Sequence, residues 1–329
     1  MTWLTWRQFR IPAVSVYAGL AVIGVILAIT GPNLVGRTDF SDDETMYGGT
    51  ILAVLLLLAV VGVFWGVPMI TRELETGTHS LIWNQSVTRQ RWLRTKLGFG
   101  GLTAMVAAGL LSLAVGWWAS PIDALAAQQS GSGMLTRMSP VVFVARGIVP
   151  IGYAAFAFVL GVAVGIVLRR TVAAMAVTLV LLAAVMVAVP LLIRPYIVPA
   201  TTDLVAIKDS NIVQITGNRA GVVESLGVAR PAGAWVLANE TLDAAGNVVT
   251  PLPAVVQNCL PKPGSKDPMP SRQSVTQCMG QLSDLGYRQR LIYQPGSHFW
   301  PLQWIETALL LLLSALLTVF CFRRIRQLS

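Results

Sequence analysis

Apolar and polar positions along this chain fall into long blocks, not into the two-residue alternation of a half-buried strand. Six blocks, at roughly 12–31, 49–70, 98–119, 141–168, 171–193 and 299–322, are apolar over about the 20 residues a helix needs to cross hydrocarbon. Strands of an outer-membrane barrel would alternate apolar and polar residues, so the pattern predicts six membrane-crossing helices. The fourth and fifth are separated only by Arg169 and Arg170, a tight basic turn. At roughly 196–298 the pattern changes. Pro, Gly, Asn, Asp and Ser become common there, no run is long enough to cross, and about 100 residues can hold a small core of their own. The expected fold is an all-α polytopic membrane protein with six transmembrane helices and a small α+β extracytoplasmic domain between helices 5 and 6. Residues 1–195 form its membrane domain, with an N-terminal interfacial helix and a polar cytoplasmic segment at 71–97. Residues 196–298 form the extracytoplasmic domain, and 299–329 the sixth helix and a basic tail.

Composition supports that division. With 54% apolar residues, 12% charged ones and a mean hydropathy of +0.66, the chain is too apolar for an ordinary soluble domain. Lys/Arg placement sets the orientation. With the N-terminus in the cytoplasm, the inner segments hold Arg7, Arg10, Arg72, Arg89, Arg91, Arg94, Lys96, Arg169, Arg170, Arg323, Arg324 and Arg326 against Glu73 and Glu75. The short outer loops hold Asp39, Asp42, Asp43, Glu44 and Asp123 against Arg37 and Arg137. The formal charge of +9 is thus largely a topology signal spread over membrane-flanking segments, and no nucleic-acid partner is expected. The expected location is the cell membrane, multi-pass, with both termini cytoplasmic. The first apolar run is long for a signal peptide and lacks a small-x-small cleavage pattern. Trp3, Trp6, Arg7 and Arg10 suit an amphipathic helix lying in the inner interface, or equally an aromatic anchor with inside-positive charge.

In the large outer segment, "GAWVLANETLDAAGNVVTPL" reads as two short strands, "WVLAN" and "NVVT", around a Gly-Asn turn. "SRQSVTQCMGQLSDLGY" reads as a helix capped by Ser271, with Val275, Met279 and Leu282 at helical spacing. Cys259 and Cys278 sit in this one segment, in what is expected to be an oxidising compartment. A disulfide between them would close a loop of about 20 residues and stabilise the domain by about 3 kcal/mol on the chain-entropy account. The alternatives are free thiols or a metal site, though no further Cys or His stands at ligand spacing and no metal is expected. Cys321 reads as a small apolar residue at the inner end of the sixth helix.

No catalytic constellation appears. His79 and His298 fall on opposite sides of the membrane, and the chain has no HExxH, CxxC or nucleophile-elbow pattern. It has no GxxxxGK[ST] phosphate loop either, so any work done with ATP requires another polypeptide to bind the nucleotide. Two ionisable residues lie inside apolar spans, Arg146 in the fourth and Glu306 in the sixth, at similar depth from the outer side. A lone charge at a helix centre costs about 2.5–3.5 kcal/mol on insertion scales, and the opposite signs suggest a pair. Such a pair either bridges the two helices or lines a substrate or ion path; an unpaired Glu306 would be a proton site.

The polar interruption "TRELETGTHSLIWNQSVTRQRWLRTKL", just after the second span, resembles the cytoplasmic segment of ABC-2 type ABC exporter permeases. The pattern there is an acid-rich start, a Gly-Thr, a short apolar helix and a Ser/Thr-Arg-x-Arg entry to the next span with a Lys. Glu73, Glu75, Gly77, Thr78, Arg89, Arg91 and Lys96 stand at those positions. "YQPGSHFWPLQWIETALLLLLSALL" resembles the entry to the last span of large-ectodomain permeases from high-GC Gram-positive bacteria, where "YQPxxxFWxxQxxE" places Glu306 at a motif position. Six helices with both ends inside fit as well.

That resemblance implies a permease subunit of an ATP-driven exporter. It has no enzymatic activity or cofactor of its own, since ATP and Mg are bound by a separate ATPase subunit. A second permease copy, identical or related, completes the path through the membrane lipid. Leu81, Ile82 and Trp83 form a compact apolar patch in a polar loop, which with Glu73, Glu75 and Arg89 at its rim has the make-up of a protein docking site. Trp92, Arg91 and Arg94 read as interfacial groups that snorkel to the lipid surface. One departure is the insertion of about 100 residues where many members carry only short helical elements. The rival reading is a non-transporting sensor with the same topology, its ectodomain binding a ligand.

Overall fold

The computed structural model describes residues 2–77, 88–128, 136–218, 222–253, 257 and 281–327. The helices are α1 (Thr2–Thr30), α2 (Glu44–Val60), α3 (Pro68–Glu75), α4 (Arg89–Trp118), α5 (Ser120–Ala126), α6 (Pro140–Val144), α7 (Val149–Leu168), α8 (Thr171–Ala188), α9 (Arg194–Ile197) and α10 (Phe299–Arg326). The strands are β1 (Thr201–Ala206), β2 (Ile212–Gly217), β3 (Val223–Val228), β4 (Trp235–Leu242) and β5 (Arg288–Gln294). The chain divides into two compact units. One is Met1–Ile122, Pro140–Ile197 and Trp300–Ser329; the other is Asp123–Ser139 and Val198–Phe299.

Among the described residues, six stretches are long and apolar enough to cross a membrane: Phe9–Leu34, Ser41–Glu75, Arg89–Trp118, Val149–Leu168, Thr171–Ile197 and Gly296–Arg326, the last from residue 300 onward in the first unit. Several run past the apolar blocks because their polar ends are held by caps and tertiary partners. The third begins at Arg89, where Thr88 Oγ1 accepts from Arg91 N and caps α4. The second and fifth pass through a proline by widening into a π-turn, at Val61–Gly66 before Pro68 and at Val189–Ile193 around Pro190. In the first of these, Val67 N donates to Gly62 O, five residues back, at 3.3 Å.

The fourth apolar block, expected as one helix over 141–168, is broken. Chain direction changes at Gly147, whose φ of +64° suits glycine, and α7 starts afresh with Pro150 in its first turn. The opened backbone is satisfied by side chains. Gln303 Oε1 accepts from Ile148 N and Val149 N, both at 2.9 Å, and Gln303 Nε2 donates to Phe143 O. Ser112 Oγ donates to Gly147 O at 2.7 Å. Non-helical backbone inside a bilayer is tolerated only where protein supplies such partners. α7 is the most buried span, packed on α4, α8 and the π-turn of the second span. Glycines allow that approach: a Cβ at Gly66 would lie 2.5 Å from Phe158 O, and one at Gly161 would collide with Gly62 O.

The second unit is built on a three-stranded antiparallel sheet in the order β1-β5-β4, with Thr201 and Val236 flanking Tyr293, and a separate β2-β3 hairpin. Its core joins Ile207, Val223, Leu226, Leu252 and Leu282. Gln289 is fully buried and ties the two sheets: its Nε2 donates to Leu226 O and Asn239 Oδ1, and its Oε1 accepts from Thr241. The expected "WVLAN" strand is present as β4. "NVVT" instead forms only the isolated bridge Leu242↔Val248, because Asp243 Oδ1 accepts from Asn247 N and closes the turn at once. Of the helix expected from Ser271, the residues up to 280 lie outside those described. Leu282 is buried in the core, as its helical spacing suggests. Cys259 and Cys278 also lie outside the described residues, and Cys321 is a buried free thiol.

Candidate functional site

α3 presents Ile70, Thr71 and Glu73 inward and leaves Arg72 exposed. Glu73 is the hub. Lys96 Nζ donates to its Oε1 at 2.6 Å, Trp92 Nε1 donates to its Oε2 at 3.0 Å, and Lys96 also donates to Met69 O at 2.7 Å. The ammonium lies 4.6 Å from the Trp92 ring centroid. All three side chains are buried, so each charge depends on its partner, and losing one partner of such a pair costs about 3–5 kcal/mol. Trp92 is therefore not the lipid-facing aromatic expected from its place near the interface; α4 turns it inward onto Glu73. Arg91 and Arg94 are exposed.

Two residues on, Glu75 joins α3 to α8. Its Oε1 accepts from Thr171 N at 2.6 Å and its Oε2 from Thr171 Oγ1 at 2.7 Å, which supplies the start of α8 with the acceptor it lacks. Thr171 Oγ1 also lies 2.7 Å from Thr71 Oγ1. α3 ends at Thr76 and Gly77, whose φ of +69° makes it a left-handed helix stop. Thr78, Leu81, Ile82 and Trp83 lie outside the described residues. Arg89 opens α4, half-buried.

The second charged constellation differs from expectation. Glu306 pairs with Arg194, not Arg146: Arg194 Nε donates to Glu306 Oε2 at 2.8 Å and Nη2 to Oε1 at 2.9 Å. Tyr153 Oη donates to Oε1 at 3.3 Å, Arg194 Nη1 donates to Pro140 O, and the guanidinium lies 4.1 Å from the Phe143 ring centroid. A bidentate pair with its remaining donors satisfied is the geometry in which a buried ion pair is tolerable. Arg194 was missed because the apolar count ends the fifth block at 193. The signal was the "RPY" that follows, a charge immediately beyond a proline-containing run. Arg146 donates to Val115 O and sits 5.2 Å from the Tyr47 ring centroid; among the described residues its Nε and Nη2 have no hydrogen-bond partner.

The motif before the last span now has a physical account. Tyr293 Oη donates to Asp203, Gln294 Nε2 donates to Val198 O, Gln303 caps the broken fourth span and Glu306 holds Arg194. Gln303 and Glu306 are three residues apart, on one face of α10.

Residues 35–194 match the family model described as ABC-2 membrane transporter related. This stretch belongs with the ABC-2 membrane domains. It contains the Glu73–Lys96 hub, Glu75, Thr171, Arg146 and, as its final residue, Arg194. The chain matches no curated protein and no solved structure. ABC-2 permeases are generally the non-enzymatic membrane component of a transporter and typically work with an ATPase subunit. The sheet-bearing residues and α10 lie outside the matched segment.

Proposed function

We propose that the chain is the membrane-spanning permease subunit of an ATP-driven exporter. Two copies, or this chain and a relative, form the path, and a separate ATPase that binds ATP and Mg couples through the segment between the second and third spans. Both termini are cytoplasmic, and the sheet-bearing domain between the fifth and sixth spans is extracytoplasmic. The observation that carries this reading is the bracing of both ends of the 78–87 segment. Its leading end is tied by Glu73 to Lys96 and Trp92 of α4 and by Glu75 to Thr171 of α8; its trailing end is α4 itself. A load applied at Leu81, Ile82 and Trp83 would therefore reach α3, α4 and α8 together, as a coupling segment requires. Glu73 and Glu75 serve in this reading as braces, while the apolar patch makes the contact with the ATPase.

The test is a binding assay on the tagged chain in mild detergent, with the Leu81→Asp/Trp83→Ala double variant beside it. The account expects a subunit with a phosphate-binding loop to bind the parent chain and to be lost from the variant, with the variant's thermal midpoint unchanged. Equal binding by a folded variant would rule out this contact. A folded parent chain that binds no ATPase would favour the sensor reading.

A further inference from the structure

A cavity of about 210 Å³ opens beside the Glu73–Lys96 hub, walled by Phe9 of α1, by Phe64 and Met69 of the second span, and by Arg72 of α3. Its two ends differ. Glu73 and Lys96 neutralise each other, so the uncompensated charge at the polar end is Arg72, which is exposed and has no acidic partner among the described residues. The other end is aromatic, and Phe64 is 59% exposed, so the cavity opens sideways from the helix bundle. Phe64 and Arg72 stand about two helical turns apart, about 12 Å along the axis. A single cation at the end of α3 above an apolar wall of that length matches the polarity of one lipid. A volume of 210 Å³ is below that of a whole drug-sized pocket, and suits a headgroup junction and the first part of a chain whose remainder lies in the bilayer.

We propose that this cavity binds an anionic phospholipid of the inner leaflet, with Arg72 on the phosphate and the Phe9–Phe64–Met69 wall on the proximal acyl chain. The leaflet rests on the cytoplasmic orientation proposed above; the binding does not. Because the wall includes the π-turn and α3, an occupied site would brace the second span directly before the coupling segment.

The full chain in mild detergent, mixed with equal amounts of dioleoyl-phosphatidylglycerol and dioleoyl-phosphatidylcholine, would be read by native mass spectrometry. The expected result is preferential retention of phosphatidylglycerol, lowered about fivefold by Arg72→Gln, the value of one surface cation on an anionic lipid. Met69→Trp, which fills the cavity, should lower retention of both lipids, and Arg288→Gln, an exposed arginine of β5 outside the membrane helices, should leave retention unchanged. Equal loss in Arg288→Gln and Arg72→Gln, or parent-level retention in both Arg72→Gln and Met69→Trp, would overturn the site. A membrane-impermeant thiol reagent acting on Thr76→Cys reports the leaflet separately. Reaction only from the cytoplasmic side supports the inner leaflet; reaction from outside overturns that assignment and the orientation with it, while the lipid-retention result stands.

Discussion

Glu73 uses both carboxylate oxygens inside the protein, and that makes it more sensitive than its place at the end of a polar helix suggests. Glu73→Gln leaves the Lys96 ammonium buried without its counter-charge, and the expected loss is about 3–5 kcal/mol, seen as a lower thermal midpoint or lower membrane yield. Replacing both partners with apolar residues of similar size, Glu73→Leu with Lys96→Met, should recover much of that loss, since a buried pair is often exchangeable for packing. If the hub transmits force, the recovered variant should still bind its ATPase while losing permease-dependent stimulation of ATP hydrolysis. The Arg194–Glu306 pair allows a parallel comparison. Glu306→Gln alone should destabilise by a similar amount, about 3–5 kcal/mol, and Arg194→Met with Glu306→Leu should restore the fold. Double-variant stability no better than that of either single variant would contradict an ion pair that acts mainly on itself.

At the scale of elements, the interrupted helices organise the membrane unit. Gly66→Val places side-chain atoms where Phe158 O already lies, so α7 must shift; overpacking of that kind costs about 1–3 kcal/mol, measurable as a lower thermal midpoint. Gln303→Ala removes the acceptor for Ile148 N and Val149 N, and should cost about 1–2 kcal/mol, as losing a helix cap does. The six apolar stretches were legible because hydrocarbon demands length and apolarity, which composition alone records. The break at Gly147 was not, because the surrounding run is apolar except for Arg146 and the compensating partner, Gln303, lies far along the chain. Glu73 and Glu75 were marked by motif, but the burial of Glu73 and the reach of Glu75 to Thr171 depend on how α3 is rotated against α4 and α8. Trp92 was misread for the same reason: an interfacial aromatic and a buried indole that donates to a carboxylate look identical in sequence. β2 and β3 carried no clear alternation, since most of β2 is exposed and its pairing with β3 is irregular.

For the whole molecule, the proposed topology puts the sheet-bearing domain in an oxidising compartment. Mass spectrometry of unreduced peptides should then find Cys259 joined to Cys278, and alkylation of both thiols without prior reduction would contradict that pairing. The domain's own core and the Gln289 tie give it the means to fold as a unit, so its chemistry can be separated from that of the membrane helices. Under the proposed function, the bracing around residues 78–87 is what would let another protein move the membrane helices. The most direct measurement is isolation of tagged chain from its native membranes in gentle detergent, with mass spectrometry and stoichiometry of whatever accompanies it. The account predicts an ATPase carrying a phosphate-binding loop, one copy per permease chain; repeated recovery of intact chain with no ATPase would contradict it.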